Sequence, residues 1–250
     1  MFPYKDENPT ELTPVVTLGI IALNAMVWLL VQGLGADESL GRSVCQLGLI
    51  PGEVLRTVPP GTSVPLGPGV RCVLTADPHW WTVLTSMFTH GGWFHIIGNM
   101  WFLWVFGNNI EDSMGHARFV VFYLLCGVAA AAAQMLVAPR SVVPMVGASG
   151  AISGVMGAYT LLYPRVRVHT LVTLGFFVTT VTLPAYVMLG YWFVLQLLMG
   201  AVGALSPTEG GVAVWAHVGG FLTGLVLVKL FANPEFLERR RAGVFLPRDA

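Results

Sequence analysis

Gly147-Ala148-Ser149-Gly150 puts a hydroxyl between glycines at the head of an apolar run, Ala151 to Tyr163, which Pro164 ends. A helix from Ser149 to Leu162 is roughly 20 Å long, against a bilayer hydrocarbon core of about 30 Å. The serine therefore sits about 10 Å below one membrane surface, and the loop leading to it is re-entrant. Irregular backbone is tolerated at that depth only where it lines protein or a water-filled cavity. A serine held in such a cavity is placed for nucleophilic chemistry if a base can reach it. Three residues near the heads of two other apolar runs are candidates to join it: His95 and Asn99 behind Gly91, and His217 behind Val212.

Whether they meet depends on the elements that carry them. The chain has 250 residues, 55% hydrophobic and 10% charged, with a mean hydropathy of +0.71. That composition belongs to a polytopic membrane protein. A formal net charge of zero offers no basic stripe for a nucleic acid. No CxxC or HExxH pattern occurs, so neither a metal nor another cofactor is expected. Apolar runs delimited by Pro, Gly and charge are Val15–Leu34, Trp93–Ile110, Phe119–Ala138, Ser149–Tyr163, Pro184–Leu205 and Val212–Phe231. Val15–Leu34 lacks a basic stretch before it and a convincing cleavage site after it, so it reads as a retained first span. Val168–Leu183 is also apolar and is an alternative seventh span. Its five threonines among Val and Phe suit an interfacial or extended segment better than a helix.

The preferred reading is an all-α membrane protein of six transmembrane helices. Arg118, Arg165, Arg167, Lys229, Arg239, Arg240, Arg241 and Arg248 then fall on one side, which the positive-inside rule makes cytoplasmic. Both termini are cytoplasmic, and the long Gly- and Pro-rich loop from Gly35 to His90 is outside and expected to be irregular, with Trp80 and Trp81 near the interface. One membrane domain covers residues 15–232, between a short N-terminus, 1–14, and a basic tail, 233–250.

In this topology the even-numbered spans all start outside. His95 and Asn99 lie roughly 6 and 12 Å along span two, and His217 roughly 8 Å along span six. Ser149 comes in at the same level. His95 and Asn99, four residues apart, share a helix face. Gly150, Gly154 and Gly157 in span four, with Gly220 and Gly224 in span six, allow the two backbones to touch. That contact brings His217 within reach of Ser149 as a general base. No Asp or Glu lies at this depth, so the pair is expected to act as a dyad with its histidine oriented by packing. Taken singly, a membrane serine ordinarily bonds its own helix and an asparagine glues helices together. Four polar residues at one depth call for a shared task.

The chain resembles the rhomboid family of intramembrane serine proteases. The matching residues are His90-Gly91-Gly92-Trp93-Phe94-His95 with Asn99, then Gly147-Ala148-Ser149-Gly150, then Ala216-His217-Val218-Gly219-Gly220 with Gly224. The resemblance runs from Trp81 to about Gly224. It implies a six-helix bundle with a re-entrant loop before a short catalytic helix, cleaving transmembrane or juxtamembrane segments of membrane-protein substrates. Ser149 is implied as nucleophile and His217 as base, with His95, Asn99 and the Ser149 N–H as the oxyanion hole. Substrate is implied to arrive sideways between spans two and five, under a loop at Ser206–Gly211, and helix-breaking residues in it should favour cleavage.

Two positions depart from the family pattern. Some members carry Trp-Arg in the first outer loop, where this chain has Trp81-Thr82. Some stack a tyrosine on the histidine, where this chain has Ser153. The competing readings are a catalytically inactive client-binding relative and a small transporter. The first ordinarily lacks the Ser or His, and the second needs ionisable residues along a pathway that the inner half of these spans does not provide. The expected setting is a bacterial plasma membrane, with membrane lipid and transmembrane proteins as partners and no nucleic acid or metal. Cys45 and Cys72 both fall in the outer loop, where a disulfide persists.

Overall fold

The structure, a computed structural model, describes residues 1–67, 69–174, 177–205 and 213–241. Strand β1 (Phe2–Asp6) precedes helix α1 (Val15–Leu30), followed by α2 (Asp37–Leu47), α3 (Pro51–Val54), β2 (Ser63–Gly67), β3 (Val70–Val73) and α4 (Thr82–Thr85). Then come α5 (Trp93–Met114), α6 (His116–Val137), α7 (Ser149–Leu162), β4 (Arg167–Leu174), β5 (Phe177–Pro184), α8 (Ala185–Leu205), α9 (Val214–Phe231) and α10 (Pro234–Arg241). The six apolar runs delimited in the sequence thus fall in helices α1, α5, α6, α7, α8 and α9. Of these, α6, α8 and α9 are long and apolar enough to cross a membrane, and α1 and α7 are shorter apolar helices.

The short helix α7 is the centre of the bundle. Every residue from Gly150 to Tyr159 is buried, the pattern of a helix packed on all sides. It is flanked by α5, α6, α8 and α9. Its closest neighbour is α9, because glycines face each other there. A Cβ on Gly220 would fall on the Gly150 carbonyl, and one on Gly224 would fall on the Gly154 carbonyl. Backbone contact of this kind maximises dispersion where lipid offers no hydrophobic drive. The outer helices turn Leu30, Leu136, Val226 and Leu230 outward instead, each more than half exposed.

Helices α5, α7 and α9 run in one direction. Phe106 of α5 meets Tyr159 near the end of α7, while Ser149 and His217 meet at the start of α7 and α9. Helix α5 continues one turn past Ile110, to Met114. The charges there do not end the helix because Glu111 and Asp112 turn inward. Pro14 gives α1 no capping side chain. Glu111 caps it from a neighbouring helix, accepting from the Val16 and Thr17 N–H groups at 2.9 and 2.8 Å and from the Thr17 hydroxyl at 2.7 Å. A carboxylate suits a helix N-terminus both as acceptor and as charge. Asp112 holds the Glu11 and Leu12 N–H groups, and Asp6 takes hydrogen bonds from Tyr159 and Asn109.

Two expectations need correction. The chain is not all-α: β1, β4 and β5 form an antiparallel sheet beyond the far end of α7, in the order β1-β4-β5. The threonine-rich stretch is therefore extended, its β-branched residues pairing from Arg167 with Pro184 to Leu174 with Phe177. The outer loop is not irregular either. It folds as α2, α3 and the β2–β3 hairpin around a small core of Ile50, Cys72 and Leu74, with Cys45 and Cys72 joined in a disulfide. Alternating apolar residues and the cross-link together supply a core that composition alone does not advertise. Trp80 and Trp81 are more than half exposed. The Ser206–Gly211 loop and the tail beyond residue 241 lie outside the described residues.

Candidate active site

Ser149 is the first residue of α7, and His217 lies in the first turn of α9. The glycine contact between these helices sets the backbones close enough for the side chains to meet. His217 Nε2 is 2.7 Å from Ser149 Oγ, a hydrogen bond in the range required of a nucleophile and its base. Both side chains reach a cavity of about 1590 Å³. Phe102 of α5 and Trp192 of α8 are in its wall, as are His95, Asn99 and Met199.

The other face of His217 holds a contact that the sequence reading misses. Its Nδ1 is 2.8 Å from Gln196 Oε1 on α8, and Gln196 is only 8% exposed. Trp192, one turn earlier on the same face, has its ring centroid 5.8 Å from that of His217. Packing alone therefore does not orient the histidine; a hydrogen bond does. Counting back from Leu205 puts Gln196 roughly 13 Å along α8, near the same level. Ser153, where some family members have tyrosine, does not contact the ring: its hydroxyl donates to the Ser149 carbonyl at 2.6 Å.

His95 also lines the cavity. The Gly91 N–H donates to His95 Nδ1 at 3.2 Å, so the proton of the neutral ring is on Nε2. The Nε2–Cε1 edge of the ring packs against Gly147, where a Cβ would lie 2.6 Å from Nε2. Gly147 also has φ +117°, a conformation that side chains rarely adopt. A residue with no Cβ is thus required for two reasons immediately before the serine turn. Asn99 is buried and donates one amide hydrogen to the His95 carbonyl at 2.7 Å. No side chain caps α7, and a helix's first N–H groups have no partner within it. His95 and Asn99 of α5 and Ser149 at the start of α7 thus line one cavity. His90 stays outside the group. Its backbone N–H and C=O are both bonded to the Gln32 side chain, at 2.8 Å each, which ties the loop before α5 to the end of α1. Among the described residues, no cluster of His, Cys, Asp and Glu could hold a metal ion.

A serine hydrogen-bonded to a histidine, with His95 and Asn99 lining the same cavity between apolar helices, is the arrangement of residues that acyl transfer requires. Comparison with known proteins gives the lineage. The Rhomboid domain profile matches residues 77–234, and the chain belongs to the rhomboid family. It is therefore a polytopic helical membrane protein. Rhomboid-like protein 11, chloroplastic, of Arabidopsis thaliana is 30% identical over 164 residues, covering 62% of this chain and 54% of that protein. Rhomboid protease GluP of Bacillus subtilis (strain 168) is 30% identical over 162 residues, 65% of this chain and 28% of GluP. Putative rhomboid protease YdcA of the same organism is 29% identical over 152 residues, 61% and 64% of the two chains. In none of the three does the chain reach two thirds of the relative's own length.

Proposed function

We propose that the protein is an intramembrane serine endopeptidase that cleaves transmembrane or juxtamembrane segments of other membrane proteins. The hydrogen bond of 2.7 Å between Ser149 and His217, inside a cavity walled by apolar helices, carries this reading. Ser149 Oγ attacks the scissile carbonyl carbon as its proton passes to His217 Nε2. Negative charge develops on the former carbonyl oxygen, facing His95 Nε2–H, the free amide hydrogen of Asn99 and the Ser149 N–H. Protonated His217 then gives its proton to the leaving amine, and a water activated by the same histidine releases the acyl group. Substrate reaches the cavity from the lipid between α5 and α8, whose side chains both line it.

Six spans within residues 15–232, termini 1–14 and 233–250 on the cytoplasmic side, and a re-entrant approach to Ser149 complete this reading. An inactive client-binding relative has no use for a serine hydroxyl bonded to an imidazole. The test is cleavage of a single-span protein in liposomes. Wild-type protein should yield two fragments, and folded Ser149→Ala should yield none. Undiminished cleavage by Ser149→Ala overturns the assignment.

A further inference from the structure

We propose that Gln196 is a positioning residue that fixes the tautomer of His217 and so makes its Nε2 a proton acceptor for Ser149. This rests on the reading of Ser149 as nucleophile. A neutral imidazole carries one proton, and whichever nitrogen holds it cannot act as a base. With Gln196 Oε1 at 2.8 Å from Nδ1, the amide oxygen accepts the Nδ1–H. Nε2 is left with its lone pair directed at Ser149 Oγ, 2.7 Å away. The opposite tautomer would give Nε2 a hydrogen and leave the serine proton without an acceptor.

In soluble serine hydrolases a carboxylate does this work. Within apolar helices an isolated carboxylate is costly to keep ionised. A primary amide selects the same tautomer with no net charge. The position is built for it: Trp192 and Gln196 are four residues apart on α8 and so share the face turned to His217. Phe193 stacks on Phe221 of α9 at 4.5 Å between centroids and fixes α8 against the helix that carries the histidine. Gln196 also accounts for how the base is aligned where Ser153 provides no aromatic ring.

The test uses the full chain in detergent and a fluorophosphonate. In that reaction Ser149 Oγ forms a bond to phosphorus, fluoride leaves and the hydroxyl proton goes to His217. Gln196→Leu removes the acceptor and should lower the maximal labelling rate roughly 10- to 100-fold, with the half-saturating probe concentration changed less than about twofold. Gln196→Glu keeps an acceptor oxygen, whether protonated or ionised, and should recover most of the rate. A residue that merely packed would not show this rescue. Wild-type rates in Gln196→Leu overturn the proposal. A second measurement needs no variant: nitrogen-15 NMR of the His217 ring should show the proton on Nδ1, and finding it on Nε2 overturns the proposal even if Gln196→Leu fails to fold. If wild-type protein and Ser149→Ala are equally unlabelled, the reading of Ser149 as nucleophile fails, and the tautomer still decides the role of Gln196.

Discussion

Ser149 differs from the other hydroxyls of its helix in having no carbonyl of that helix behind it. Ser153 donates to the Ser149 carbonyl and Thr160 to the Met156 carbonyl, at 2.6 and 2.8 Å, the usual bond of a serine or threonine inside a helix. Ser149 begins α7, so the residue four before it, Met145, lies outside the helix and bonds the Leu49 N–H. The hydroxyl is thereby released to His217. Position at the helix head, rather than residue type, makes this serine available. The residues around it should fail in graded fashion. In the proposed mechanism Ser149 and His217 act as one unit, so Ser149→Ala/His217→Ala should be scarcely slower than either single variant. In the proposed mechanism His95→Ala and Asn99→Ala remove one charge-stabilising donor each, and each should lose on the order of 100- to 1000-fold in turnover while retaining measurable cleavage. Equal, total loss in all four, with intact folding, would contradict the division of roles.

At the scale of elements, the site depends on how closely α7 and α9 approach. Gly224 touches the Gly154 backbone, so Gly224→Ala must push the helices apart. It should cost about 1–3 kcal/mol in an unfolding titration and reduce cleavage by drawing His217 from Ser149. A Cβ added to Gly190 on α8 would meet nothing within 4 Å, and Gly190→Ala should be neutral or slightly stabilising because alanine is the better helix former. Equal effects at the two positions would show that helix propensity, not contact, governs. These contacts were legible in the sequence, since small residues four apart within an apolar run have few other uses. So were Ser149, His217, His95 and Asn99 as a group, through depth counting. Gln196 was hidden because a lone glutamine in an apolar span gives no periodic signal. The inward turn of Glu111 and Asp112 was hidden too. Charges normally mark the end of a span, and only the three-dimensional neighbour, the uncapped start of α1, shows why the helix continues.

Across the whole molecule, a disulfide at one end and basic residues at the other both favour the proposed orientation. The disulfide Cys45–Cys72 belongs to the layer of α2 and β2–β3, which packs on the Ser149 end: Leu49 and Met145 exchange backbone hydrogen bonds, and the Gly52 N–H bonds the Ser141 carbonyl. A disulfide persists in an oxidising compartment. Closing this loop stabilises the layer by about 3–4 kcal/mol through restriction of the unfolded chain. The opposite end carries Arg118, Arg165, Arg167, Lys229 and Arg239, the basic residues expected on the cytoplasmic side. Glu38 on α2 and Glu235 on α10 mark the two ends with matched chemistry. Each sits in an exposed i,i+4 pair with an arginine, Arg42 and Arg239, and such pairs contribute little to stability. Either glutamate can therefore be replaced without disturbing the bundle, and the one free cysteine, Cys126, is buried. In sealed cells a membrane-impermeant maleimide should label Glu38→Cys and leave Glu235→Cys unlabelled until the membrane is opened. Labelling of Glu235→Cys alone would invert the molecule, placing its disulfide on the reducing side and its basic end outside. Labelling of both would place them on one side and overturn the proposed six-span topology.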